Sequence, residues 1–213
     1  MEFCHTSVLF SQCMEGLAIR PEGIYLDGTA GGGGHSLGIA RRLTTGRLIA
    51  LDKDPDAVKA AGERLAGLPA RVVESDYADI PQVLDSLGID KVDGILLDLG
   101  VSSYQLDTPE RGFSYMADAP LDMRMTQQGF SARDLVNQWD VSSMARALRE
   151  FGEEKYALAI AKRIARAREQ QPVETTGQLV EIIKSAIPPS ARYEGGPPAK
   201  RTFQAIRIAG NSE

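Results

Sequence analysis

Four short apolar runs, each tied to a helical pattern, constrain this chain more than any other feature of its sequence. Gly23-Ile24-Tyr25-Leu26-Asp27 leads into the glycine-rich Gly28-Thr29-Ala30-Gly31-Gly32-Gly33-Gly34 and then a helical pattern through Leu43. Arg47-Leu48-Ile49-Ala50-Leu51 precedes a helical stretch near 55–66, and Ala70-Arg71-Val72-Val73-Glu74 precedes another near 79–87. Val92-Asp93-Gly94-Ile95-Leu96-Leu97 is the fourth run. Strands alternating with helices predict an α/β fold with a mostly parallel sheet, since a parallel neighbour is reached only through a crossover. Ligands of such sheets bind at the carboxyl ends of the strands, around the first βα loop.

After Asp98 the rhythm changes. Leu99 to Gly129 is rich in Gly, Pro, Asp and Met with weak periodicity, and loops of that length are usually functional. Helical patterns follow at about 131–138, 142–151, 155–170 and 175–186, broken by Pro172 and Pro188-Pro189. Gly195-Gly196-Pro197-Pro198 then leads to a last helix beginning with Arg201-Thr202-Phe203-Gln204-Ala205. Charge divides along the same line: residues 1–100 carry 9 Lys and Arg against 15 Asp and Glu, whereas 155–207 carry 10 against 4. An acidic half and a basic window predict two jobs. The apolar share of 43% excludes a disordered chain. No run approaches the roughly 20 apolar residues of a membrane helix, so a cytoplasmic protein with no membrane partner is expected. Cys4 and Cys13, with only His5 and His35 beside them, lack the paired spacing of a zinc site, so two free thiols and no metal are expected.

The strand ends carry the chemistry. Asp52 closes the second run 21 positions after Gly31, where a carboxylate takes ribose hydroxyls. Asp27, directly before the glycines, distinguishes cofactors. A pyrophosphate there would meet like charge, which argues against a nicotinamide dinucleotide, whereas the ammonium of S-adenosylmethionine would gain a partner. Asp27 to Gly33 therefore reads as a methyltransferase loop, with Thr29 where a glycine is commoner. After the third run, Asp76 is placed to accept an adenine amine and Tyr77 to cover the base. Asp98, at the end of the fourth, sits where the reactive methyl should point.

At these residues the chain resembles the bacterial small-subunit ribosomal RNA methyltransferase H family. The resemblance is carried by Ile24-Tyr25-Leu26-Asp27-Gly28-Thr29, Gly33-Gly34-His35-Ser36, Leu51-Asp52-Lys53-Asp54-Pro55 and Asp93 to Ser103. It continues through Gln105-Leu106-Asp107, Glu110 to Ser114, Pro120-Leu121-Asp122-Met123-Arg124-Met125 and Arg201 to Ala205. It implies a Rossmann-like methyltransferase with an inserted helical domain, moving a methyl from S-adenosylmethionine to the exocyclic N4 of a cytidine in the decoding region of 16S ribosomal RNA. Position by position it makes Gly33, Gly34, His35, Asp52, Tyr77, Asp98 and Gln105 the cofactor contacts. The expected division is 1–110 with 199–213 as the cofactor-binding domain and 111–198 as the substrate-binding insert.

Asp98 is also the expected catalytic residue: an acceptor for an amine N–H orients the nitrogen and stabilises its growing positive charge. On a helix over 155–170, Lys155, Lys162 and Arg166 fall within roughly 40° of one another, opposite Ile160 and Ile164, and with Arg163 are expected to bind RNA phosphates. Arg111 and Phe113 are expected to meet a phosphate and a flipped base, since chemistry on a base edge requires unstacking. Met123 and Met125 read as packing residues. The expected partner is 16S RNA or the small ribosomal subunit, with a second copy of the chain as a further candidate. The family continues past the last helix with strands that this chain does not include, so a truncated, poorly active fragment is an alternative expectation. A methyltransferase acting on a small molecule or protein is another.

Overall fold

The computed structural model describes residues 7–192 and 196–213; Cys4 and His5 lie outside them. The chain divides into two compact units, Met1–Tyr104 and Gln105–Glu213.

The first unit is an α/β layer built around four strands, β1 (Ile24–Asp27), β2 (Arg47–Asp52), β3 (Ala70–Glu74) and β4 (Gly94–Leu96). Their order is β3-β2-β1-β4, and every pairing is parallel. Successive side chains of a strand face opposite ways, so β1 and β2 feed two cores. Tyr25, Leu48 and Ala50 pack with Met14, Ile39, Leu43, Ala61 and Leu65 on one face. Leu26, Ile49 and Leu51 pack with Ile89 and with Ile80, Val83 and Leu84 on the other. Those partners come largely from α1 (Phe10–Leu17), α2 (Gly34–Ala40), α3 (Pro55–Arg64) and α4 (Ile80–Ser86). Helix α3 starts where Asp54 caps it, accepting from the Asp56 N–H at 3.0 Å, with Pro55 in the first turn. Helix α1 has no such signal. It is bounded by Leu9 and Ala18, both left-handed at φ 52° and 44°, and nothing about those two residue types announces a helix boundary.

The second unit is helical: α6 (Ala132–Gln138), α7 (Val141–Gly152), α8 (Ala157–Arg168), α9 (Thr176–Ala186) and α10 (Lys200–Asn211). A short helix α5 (Ser103–Asp107) carries the chain into it. Capping boxes at Ser131/Asp134 and Thr175/Gln178 set the starts of α6 and α9. The core gathers Leu135, Val136, Met144, Leu148, Ile160, Ile164, Leu179 and Ile183, all essentially inaccessible. Asn137 ties α6 to the segment before α9, donating to the Val173 carbonyl and accepting from the Val173 N–H, each at 2.9 Å. Met123 and Met125 are buried packing residues.

Three boundaries differ from the sequence expectation, the first being the end of the cofactor-binding unit, expected at 110 and found at Tyr104. Residues 199–213 are expected with the sheet, but α10 packs on α7 and α6 and buries Phe203, Ala205 and Ile206 there, which makes it part of the second unit. Helix α8 begins at Ala157, two residues after Lys155, so Lys155 lies in the preceding turn rather than on the helix face.

Candidate active site

Neighbours of β1 follow in opposite directions along the chain, β2 on one side and β4 on the other, and such a reversal opens a crevice at the strands' carboxyl ends. The register pairs Asp27 with both Ala50 and Leu96, which sets the first loop between the ends of β2 and β4. The loop is tied on both sides. Ala30 N–H donates to the Leu51 carbonyl at 2.8 Å, and Gly28 N–H donates to the Leu96 carbonyl at 2.9 Å. Gly31 and Gly33 take φ of 50° and 78°, the left-handed region in which a Cβ is strained. Gly34 opens α2 directly behind them.

Asp27 is wholly buried. Its Oδ2 accepts from the Ser36 hydroxyl at 2.6 Å and its Oδ1 from the Thr29 N–H at 3.1 Å. Burial pushes the Asp27 carboxyl above its ordinary value, against the pull of those two donors. The sequence places Asp27 as partner to a ligand's ammonium; in the structure one oxygen serves the loop through Thr29 and the other serves α2 through Ser36. Asp52 does two tasks. Its Oδ2 accepts from Gly31 N–H at 2.8 Å and its Oδ1 from Asp54 N–H at 2.9 Å, while burial raises its carboxyl against these donors. Each oxygen keeps a second lone pair, so hydroxyl donors can still be taken.

After β3, Asp76 accepts from Lys53 Nζ at 3.0 Å and from Ala78 N–H at 2.9 Å. Burial works against its charged form, but the Ala78 N–H and the Lys53 ammonium outweigh it and hold the carboxyl below the usual range. The same ammonium lies 5.9 Å from the centre of the half-buried Tyr77 ring.

Asp98 is different in kind: its side chain is 51% exposed. Its backbone N–H donates to Thr29 Oγ1 at 2.7 Å, which binds the segment after β4 to the first loop. Its Oδ2 stands 3.9 Å from Nδ1 of the buried His35. The other ring nitrogen, Nε2, lies 3.1 Å from the Val8 carbonyl, and Phe10 stacks on the ring. A carbonyl only accepts, so Nε2 is the donor in that contact, and Nδ1 is the ring nitrogen turned toward Asp98.

Gln105, on α5, is buried in the second unit. Arg111 and Phe113 are built into their own loop: Arg111 Nη2 donates to the Arg124 and Met125 carbonyls at 2.9 and 3.2 Å, the guanidinium lies 5.7 Å from the Phe113 ring centre, and Phe113 is buried. That packing leaves Phe113 no open face for a flipped base. Lys155, Lys162, Arg163 and Arg166 are exposed, and Arg163 Nε donates to Ser185 Oγ at 2.9 Å. Three residues with a part in the site carry no assigned role in the sequence reading. Ser36 holds Asp27, Lys53 holds Asp76, and Thr29 holds Asp98; the unusual Thr29 within the glycine run is the only one that stands out by type.

Over residues 2–213 the sequence matches the MraW methylase family. The chain belongs to that family. Among its relatives, a ribosomal RNA small subunit methyltransferase H 2 from Agathobacter rectalis is 58% identical over 218 residues, spanning all of this chain and 69% of that protein. A ribosomal RNA small subunit methyltransferase H from Symbiobacterium thermophilum is 56% identical, spanning all of this chain and 68% of that protein. One from Lachnospira eligens is 55% identical, with 69% of that protein spanned. A MraW-family methylase requires a methyl donor, and the crevice offers hydroxyl acceptors at Asp52 and an N–H acceptor at Asp98. Among the described residues no cluster of His, Cys, Asp or Glu is placed to hold a metal ion, and no helix is long and apolar enough to cross a membrane.

Proposed function

We propose that this chain binds S-adenosylmethionine at the ends of β1, β2 and β4 and methylates the exocyclic N4 of a cytidine in the decoding region of 16S ribosomal RNA, acting on the small ribosomal subunit in the cytoplasm. One observation carries the chemistry: Asp98 presents an exposed carboxylate at the crevice, its backbone held by Thr29 and its Oδ2 facing His35 Nδ1 at 3.9 Å. The ribosomal substrate is supported by the names of the relatives.

The bound cofactor supplies an electrophilic methyl group on a sulfonium. Asp52 would hold the ribose hydroxyls with the lone pairs left over from Gly31 and Asp54, and Tyr77 would cover the adenine. Asp98 then acts on the nucleophile. The N4 lone pair of cytosine is delocalised into the ring, so an acceptor that takes one N–H turns the amine toward the methyl. The carboxylate's charge stabilises the positive charge that grows on nitrogen as the N–CH3 bond forms and the methyl–sulfonium bond breaks to leave a neutral thioether, and the surplus N4 proton passes to the carboxylate or to water. Lys155, Lys162, Arg163 and Arg166 hold phosphates away from the reacting atoms.

Small subunits from a strain lacking this methylation, incubated with the purified chain and labelled cofactor, should acquire one methyl on a cytidine N4. Asp98→Asn keeps the shape and one acceptor oxygen, and should lower turnover by about 10²–10³ fold. Normal single-turnover transfer at saturating cofactor, with only affinity reduced, would make Asp98 a binding residue and not a catalytic one.

A further inference from the structure

Three separated segments of the second unit meet around a cleft, and they bring cations with them. Residues 154–156 contribute Lys155, residues 187–192 contribute Arg192, and residues 196–201 contribute Lys200 and Arg201. Glu154 is the one carboxylate among the described lining residues. It is 6% exposed, and its Oε1 accepts the Tyr156 N–H at 3.0 Å, so one carboxylate stands against four cations. Tyr156, Ile187, Pro197 and Pro198 form the apolar part of the wall.

Arg124, Arg133, Lys184 and Arg207 each meet a carboxylate, on Asp122, Glu174, Glu181 and Glu213. None of the four cleft cations pairs with a carboxylate among the described residues. The two arginines are instead aimed by backbone carbonyls: Arg192 Nε donates to Ile187 at 3.2 Å, and Arg201 Nη1 donates to Glu153 at 2.8 Å. Each guanidinium keeps further N–H donors for an outside acceptor. Clustered like charges repel in the absence of a counter-charge, and a concave site concentrates their field.

We infer that this cleft seats consecutive phosphates of the RNA substrate's backbone, with Lys155 and Lys200 as point charges and Arg192 and Arg201 as forks. The assignment rests on the ribosomal RNA reading above. It extends the phosphate-binding surface from the exposed face of α8 to the start of α10. Contacts to phosphate carry no base identity, so the cleft supplies affinity and register, while selection of the target base occurs elsewhere.

The test is anisotropy binding of a labelled single-stranded RNA of the decoding-region sequence and of a scrambled RNA, each across a salt series. The double variant Lys155→Gln/Lys200→Gln should flatten the slope of log affinity against log salt by about 1.4, at about 0.7 per phosphate contact, and should do so for both RNAs. Low-salt affinity should fall roughly tenfold. Lys59→Gln/Lys91→Gln, exposed on the first unit, should leave both quantities unchanged. Equal far-ultraviolet circular dichroism and thermal midpoints in all three proteins report that both units are folded, and equal calorimetric affinity for S-adenosylmethionine reports an intact cofactor site. A cleft variant that binds cofactor normally and RNA with an unaltered slope overturns the assignment. Failure of the ribosomal reading looks different, since the unmodified chain would then fail to methylate small subunits whatever the slope of the cleft variant.

Discussion

At Asp27, burial and hydrogen bonding oppose each other. Burial raises its folded value, so the folded chain favours the protonated acid more than the unfolded chain does. Its contribution to stability is therefore complete below the unfolded value of about 3.9 and is lost as pH rises through the higher folded value. Asp27→Asn keeps an oxygen for Thr29 N–H and offers Ser36 an N–H in exchange. Urea titrations should show the wild type losing stability relative to Asp27→Asn as pH rises from about 4; parallel curves would mean that Asp27 does not titrate in the folded state. Thr29 makes a different demand, since its bond to the Asp98 N–H lies at an exposed segment where water can substitute. Thr29→Val should cost less than about 1.5 kcal/mol of stability. Its effect should appear in turnover, lowered roughly ten- to a hundredfold by displacement of the carboxylate, with Thr29→Ser restoring it. Equal turnover for Val and Ser would remove the link between Thr29 and Asp98.

Among the elements, the pair α7 and α10 depends on one small residue. Gly152 is buried at the end of α7, and a Cβ there would come 2.5 Å from the Arg201 carbonyl oxygen and 3.1 Å from the Ala205 Cβ. The first of these is backbone and cannot rotate away. Gly152→Ala should push α10 outward and destabilise the helical unit by about 1–3 kcal/mol, read from its denaturant midpoint. A glycine in a helical pattern reads as a weak point in sequence. Only its neighbour shows that it is a contact.

Across the whole molecule, the proposed function has cofactor and RNA address different residues. A ligand at 100 times its Kd stabilises its site by about 2.7 kcal/mol, so saturating S-adenosylmethionine should slow hydrogen exchange at residues 27–36, 52–54, 76–78 and 98. The amides of α8 and α9 should be unaffected. Uniform protection of all helices would contradict that separation. The charge division predicts the converse for RNA, whose protection should centre on the basic window.

Period and punctuation in the sequence were enough for the four strands, the helices that follow them and the bundle, because a strand repeat of two or a helical repeat near 3.6 is a local property of the chain. The strand-end acids Asp27, Asp52, Asp76 and Asp98 were legible for the same reason. Their division of labour was not. Whether a carboxylate is buried against Ser36, shared with a glycine N–H, paired with Lys53 or left open beside His35 depends on residues up to 69 positions apart. The placement of α10 was equally out of reach, since an apolar face states that a partner is needed but not which one. Tertiary packing decided these points, because burial and pairing energies belong to neighbours in space and the sequence lists neighbours only along the chain.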